Sequence, residues 1–234
     1  MTRMPAILAA FALATLAACA GPEQPETAQG LDTPSGPSAT SPGGAPALTA
    51  AELEVSRIAV RNGDTDFIMV DKGPGRVLMF QNGQPVYGGS ALTGMSHADV
   101  MPPGLMSKPF SQHMPPEDKI TPAGRYTVSE EEDPHYGPTL SVNEVSNNDW
   151  DIAIHRLWVG PPEERRPQRL ASNNGAEKHV TWGCIDVPPA IMSRLIQDLP
   201  DDEKTPLYIL PTNQTHVASF FPPRSPAMAS VKAE

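Results

Sequence analysis

"HVTWGCIDVPP" (residues 179–189) holds Cys184, one of two cysteines in the 234-residue chain. The hydrophobic pattern changes across this stretch. Beyond it, "PPAIMSRLIQDLP" puts Ile191, Met192, Leu195, Ile196 and Leu199 on one helical face, with Pro189 suited to the first turn. "TPLYILP" then reads as a last strand. Cys184 is thus expected in a loop just before a helix N-terminus. There, backbone N–H groups and the helix dipole lower a thiol pKa.

Before the cysteine, the pattern is that of strands. In "DWDIAIHRLWV", Ile152 and Ile154 alternate with Asp151, Ala153 and His155, so His155 faces away from the two isoleucines. "TPAGRYTV" is another strand. "FIMV" and "RVLMF" are short apolar runs parted by the turn signal "DKGPG", and Asn82 followed by Gly83 marks a hairpin. Ahead of these, Thr49 with Glu52 three residues on forms a capping-box pattern opening a short helix. Residues 95–120 are a Met-, Pro- and His-rich loop, too long for a mere connector. No repeat is visible, and the class is mainly β.

The ends read differently. "MTRMPAILAAFALATLAACAGP" has Arg3, then an uncharged run from Ala6 to Ala18. That run falls short of the ~20 apolar residues of a membrane span and fits a secretory signal. Its end, "LAAC", resembles a lipobox, which predicts a signal peptide over 1–18 and a lipid on Cys19. Ala20 in place of Asp resembles an outer-membrane address. Residues 19–47 are rich in Pro, Gly and Ser and cannot bury a core, so a disordered tether is expected. A coil of about 30 residues averages roughly 30 Å end to end. A helix and connector (48–65), the main domain (66–211) and a disordered tail (212–234) complete the expected layout. The net charge of −10 argues against nucleic-acid binding.

With Cys19 acylated, Cys184 has no partner in the chain. In an oxidising periplasm it is a reactive thiol or a small buried hydrophobe. A nucleophile needs a base. Of six histidines, His97, His113 and His135 fall in loops and His216 in the tail, where solvated surface is the default. None has zinc-motif spacing, so neither metal nor cofactor is expected. His155 and His179 remain.

The ordered set "TPAGRYTV", "IAIH", "TWGCIDV", "TPLYILP" resembles the L,D-transpeptidase (YkuD-like) catalytic domain. That family carries a T-P-x-G element, an I-H at a strand end, a Ser/Thr-His-Gly-Cys motif and a closing strand. The opening "FIMVDKG…RVLMFQNGQPVYGGSALTG" is similar to its first hairpins. The resemblance covers 66–211. It implies a β-sandwich with a catalytic loop and one or two packed helices. It also implies Cys184 as nucleophile, His155 as base oriented by the carbonyl of Arg156, Thr181 at the Ser/Thr position, and an oxyanion hole from the N–H groups of Gly183 and Cys184. The implied substrate is the peptidoglycan stem peptide. A thioester forms with loss of D-alanine and passes to an amine, giving a 3-3 cross-link or attachment to a lipoprotein lysine. Water as acceptor would make a carboxypeptidase or endopeptidase. A peptidoglycan-binding lipoprotein without chemistry is the alternative of another class.

Three departures stand out. Trp182 replaces the motif histidine, as packing or as a stacking or N–H donor group. Asp186 stands two after the cysteine, where Arg or Asn is usual. The span between His155 and Cys184 is longer than usual, and its insert, 157–178, is expected to form a lid. Residues 155–182 hold Arg156, Arg165, Arg166, Arg169 and Lys178 against Glu163, Glu164 and Glu177. Arginine grips carboxylates with paired hydrogen bonds. Arg165, Arg166 and Arg169 are therefore expected to hold a donor carboxylate in place of a cation at 186.

The anchoring expectation is directly testable. Cys19→Ala should leave an uncleaved or mislocalised precursor in cell fractionation. Normal processing and release of soluble protein from that variant would contradict it.

Overall fold

Phe67, Ile68, Met69 and Val70 are consecutive and all fully buried. A strand apolar on both faces must be covered on both. The structure, a computed structural model that describes residues 45–108, 113–147, 150–199 and 204–222, does this with two cores. Ile68 and Val70 face one, Phe67 and Met69 the other. The signal segment, Cys19 and the tether to residue 44 lie outside the described residues, as does the tail from 223.

In chain order the elements are α1 (Ala50–Arg61), β1 (Phe67–Asp71), β2 (Arg76–Gln81), β3 (Gln84–Ser90), β4 (Thr93–Gly94), β5 (Gly124–Asp133), β6 (Gly137–Val142), β7 (Ala153–Arg156), α2 (Arg166–Ala171), β8 (His179–Thr181), β9 (Ile185–Val187), α3 (Pro189–Asp198) and β10 (Thr205–Leu210). Eight strands make one sheet in the order β3-β2-β1-β10-β5-β6-β7-β9, and β4 pairs with β8 beside it. Most neighbours are antiparallel, but β1 runs parallel to β10 and β7 parallel to β9. The β2–β3 hairpin turns at Asn82 (φ 51) and Gly83 (φ 73). Two positive φ values are what a type I′ turn requires.

The first core joins distant parts of the strand order. Val77 and Met79 of β2 pack in it with Ile154 of β7, Ile185 and Val187 of β9, and Met192 and Leu195 of α3. One continuous sheet therefore curls over a shared core and forms both of its layers. The expected mainly β class with packed helices is the one observed.

The second core lies under α1, whose capping box is made by Thr49 and Glu52. Val55, Ile58 and Ala59 pack on Phe67, Phe80 and Tyr208. Phe67 and Phe80 stack at 4.3 Å. The tail expected to be disordered from 212 is instead ordered to 222. Residues 214–220 form a 3-10 turn, and Val217 and Phe221 are buried in this core. The tail lacks periodicity, but its Phe220 and Phe221 are candidates for docking, and Phe221 is buried while Phe220 packs against this core.

A polar cluster is buried at the edge of the same core. Arg76 donates two hydrogen bonds to the Glu52 carboxylate. Asp71, fully buried, accepts from Gln214 Nε2 at 2.6 Å and from the Gly73 N–H at 3.0 Å. Burial, reinforced by the Glu52 charge, pushes Asp71 up to about 7.

A raised carboxyl pKa favours the protonated native state. Its stabilising effect is complete in acid and is lost as pH rises through about 7. Asp71→Asn should therefore change stability little near pH 4 and raise it by about 1–3 kcal/mol near pH 8. Urea unfolding at the two pH values measures this, and a loss of stability at the higher pH would contradict it.

Candidate active site

β7 and β9 lie side by side in parallel, in a register that sets His155 opposite Asp186. Cys184 immediately precedes β9 and so sits at the same sheet end. Its Sγ lies 3.6 Å from the Asp151 carbonyl oxygen and accepts the N–H of Ala153. His155 is buried on the face opposite the Ile154 side of β7. Its Nδ1 lies 2.8 Å from the Arg156 carbonyl oxygen, so the proton on that nitrogen is donated there. Tyr136 stacks on the ring at 4.0 Å and an interplanar angle of 15°. His155 Nε2 faces Asp186 Oδ1 at 3.4 Å.

The turn ahead of the thiol is tightly built. The Thr181 hydroxyl donates to the Cys184 carbonyl at 2.5 Å and accepts from the Gly183 N–H at 3.2 Å. Gly183 has φ 131, and a Cβ there would lie 2.9 Å from the Ile120 carbonyl oxygen. Only glycine meets both conditions. Thr121 donates to the Gly183 carbonyl at 2.6 Å and accepts from the Gly94 N–H at 2.8 Å. It thereby ties the turn to β4.

Two sequence expectations are corrected here. Cys184 does not adjoin a helix N-terminus, because β9 separates it from α3. Its thiol is not lowered; burial pushes it up to about 12, against a partial offset from the Ala153 N–H. His179 lies on β8, not in the thiol's loop. Its Nδ1 is 3.2 Å from the Gly94 carbonyl oxygen and 3.3 Å from Thr93 Oγ1, and its ring packs 4.1 Å from that of His97. These contacts leave His155 as the histidine beside Asp186 and the thiol strand.

The insert is packed down. Leu170 of α2 joins Leu92 and Val180 in a small core, and Lys178 Nζ donates to the Leu170 carbonyl at 2.7 Å and to Ser90 Oγ at 2.5 Å. Its arginines do not act as a set. Arg166 is buried, donating from Nη1 to Asp186 Oδ2 at 3.0 Å and from Nε to Glu164 Oε2 at 2.6 Å, with its guanidinium over the Trp158 ring. Arg169 donates to the carbonyls of Glu164 and Glu177. Arg165 is exposed at φ 50. The expected three-arginine grip on a ligand is thus corrected: Arg166 is committed to Asp186, and Arg169 to the flap backbone. Asp186, fully buried, is likewise not open to a ligand. Burial pushes its pKa up, while His155 and Arg166 pull it back.

Trp182, singled out in the sequence, is half-buried, with Lys119 Nζ 4.2 Å above its ring. Other residues at the site were not singled out. Thr121 belongs to the quoted "TPAG" element, which could have flagged it. Lys119, Tyr136 and Trp158 carry no local signal, because each reaches the site only through tertiary folding.

A model of the L,D-transpeptidase (YkuD) catalytic-domain family matches residues 65–209. No curated protein sequence matches the chain. Among solved structures, an L,D-transpeptidase from Xylanimonas cellulosilytica is 13% identical with a TM-score of 0.38, the match covering 62% of this chain and 60% of that one. A cysteine-to-serine mutant of the Enterococcus faecium L,D-transpeptidase is 18% identical with a TM-score of 0.39, covering 62% and 50%. An L,D-transpeptidase from Mycobacterium smegmatis is 13% identical with a TM-score of 0.39, covering 62% and 58%. The matched part spans less than two thirds of each of these three chains.

Breaking a buried ion pair strands the remaining charge. Arg166→Met should destabilise the protein by about 3–5 kcal/mol. The double variant Arg166→Met with Asp186→Asn should recover much of that loss, because no buried charge is left alone. Thermal unfolding of the single and double variants provides the check, and equal losses from both would refute the pairing.

Proposed function

The chain belongs to the L,D-transpeptidase catalytic-domain family, and from that membership we propose that it is a peptidoglycan L,D-transpeptidase working through a cysteine thioester. One observation supports this most. The β7–β9 register brings Cys184 and His155 to one sheet end, with Nδ1 of His155 held by the Arg156 carbonyl. Held so, the neutral ring carries its proton on Nδ1 and offers the lone pair of Nε2 as base.

In the proposed reaction the stem peptide docks with the carbonyl of its diaminopimelate residue at Sγ. The thiol proton passes to His155 as sulfur attacks. Asp186, 3.4 Å from Nε2, favours the imidazolium that forms. The N–H groups of Cys184 and Gly183 receive the oxyanion, each such donor being worth about 3 kcal/mol. The Gly183 N–H has only a 3.2 Å contact with Thr181 to give up. As the tetrahedral intermediate collapses, the C–N bond breaks and His155 returns its proton to the leaving D-alanine amine. An acceptor amine then attacks the thioester carbonyl, and sulfur regains a proton. A stem amine gives a 3-3 cross-link, a lipoprotein lysine a protein attachment, and water a hydrolase. No step calls for a cofactor.

The proposed location is the periplasm, at the outer membrane through a lipid on Cys19. The tether 19–47 would let the domain reach the peptidoglycan. A peptidoglycan-binding lipoprotein without chemistry is the lesser reading, since it gives no reason for Cys184 and His155 to share one sheet end.

Incubation with purified tetrapeptide muropeptides, followed by mass spectrometry of protein and products, tests the proposal. A thioester adduct should form on the wild type and be absent in Cys184→Ala. His155→Ala should slow its formation by about 10²–10⁴-fold. Dimers accompanied by free D-alanine support the transpeptidase. Tripeptide alone selects the hydrolase, and binding without adduct or product selects the lipoprotein reading.

A further inference from the structure

Four cationic residues are largely buried among the described residues: Lys72, Lys119, Arg166 and Lys178. Three have oxygen partners. Lys72 pairs with Asp99 at 2.7 Å, Arg166 with Glu164 and Asp186, and Lys178 with Ser90 and the Leu170 carbonyl. Lys119, only 7% exposed, has no hydrogen bond or ion pair at Nζ among the described residues. Its ammonium meets an aromatic face alone, 4.2 Å from the Trp182 centroid. The Lys119 ammonium keeps access to solvent at Nζ, so a ligand can reach it without displacing an internal anion. Glu164, the acid whose charge reaches it, is already bonded to Arg166.

The position of Lys119 is fixed from both sides. Its carbonyl accepts the Ser96 N–H at 3.1 Å, and its own N–H donates to the Pro116 carbonyl at 3.2 Å. The next two residues abut the catalytic turn. Ile120 supplies the carbonyl that forbids a Cβ at Gly183, and Thr121 donates to the Gly183 carbonyl. Ile120 is anchored with Leu105, Met114 and Trp150 in a small core beneath the 95–120 loop. That loop therefore presents one ammonium over Trp182, two residues before Cys184. The other nearby cation, Arg166, is spent on Asp186.

We propose that Lys119, set over Trp182, binds a free carboxylate of the donor stem peptide and so selects acidic stems over amidated ones. This rests on the transpeptidase reading above. The ammonium supplies the charge, and Trp182 offers a flat apolar wall beside it. Charge attraction to a ligand carboxylate at this position does not compete with an internal acidic partner.

The test uses two synthetic tetrapeptide stems, one with free side carboxylates and one with them amidated. Binding is measured to the full chain carrying Cys184→Ala, so no turnover is needed. That protein should prefer the free stem by about tenfold to a hundredfold, the scale of one charge-assisted hydrogen bond. Adding Lys119→Met, which keeps an unbranched side chain against Trp182, should abolish the preference, and Lys119→Arg should restore most of it. In the proteins that retain Cys184, Lys119→Met should raise KM for the free stem by a similar factor. Equal weakening of both stems by Lys119→Met would mean that the lysine only supports Trp182, and would overturn the proposal, as would indifference of the parent protein to amidation. Retained carboxylate preference without any thioester on the wild type would instead keep the binding site and sink the transpeptidase reading.

Discussion

The parallel pairing of β7 with β9 is the constraint on which the site depends. Its register puts His155 opposite Asp186 and leaves Cys184 at the adjoining strand end. Parallel neighbours cannot be joined by a tight turn; the chain must leave one end of the sheet and return to the other. Residues 157–184 make that crossing. The insert is therefore not an ornament on a finished site. It carries the chain from the strand that bears His155 to the strand that follows Cys184, and on the way it delivers Arg166 to Asp186. Leu170 and Lys178 hold it against the domain as it passes.

Much of the scaffold was legible because local chemistry wrote it. Four consecutive apolar residues, 67–70, demanded cover on both faces and received it. Asn82 and Gly83 named their own turn. The spacing of Met192 and Leu195 gave the helix and its buried face. What could not be read were pairings set by distant chain. The alternation around His155 told which face it takes, but not that Asp186 would share its register. Arg165, Arg166 and Arg169 look alike in sequence, yet one is buried on a carboxylate, one caps backbone carbonyls and one is exposed. Phe221 docks from a segment without periodicity.

The charges around the thiol make sense only together. Burial raises the Cys184 thiol pKa, with a partial offset from the Ala153 N–H. In the proposed reaction, deprotonation of such a thiol accompanies attack. Asp186 answers that need, because a negative charge facing Nε2 stabilises the histidine once it has taken the proton. Left alone, Asp186 would be an unpaired buried carboxylate, and burial would drive it to the neutral form. His155 and Arg166 oppose that rise in its pKa. In this chain an acid two residues after the cysteine therefore fits the proposed chemistry, provided the insert supplies its cation.

That arrangement has a consequence for charge at the cleft as a whole. Arg166, Glu164 and Asp186 form a closed set whose formal charge is −1, and it offers no attraction to an acidic ligand. The chain's net charge of −10 adds none. Over distances beyond about 8–10 Å, salt screens exposed charges, so the overall acidity does little inside a packed cleft. Local, desolvated charge decides there, because it is screened far less. The carboxylate recognition proposed above would then need a cation from another part of the fold, close to the Gly183 turn and without an acid of its own. The 95–120 loop meets this requirement by resting Ile120 on Gly183, which places Lys119 over Trp182 as a direct result. The glycine that lets the turn form is thus also what lets the loop, and its charge, come this close.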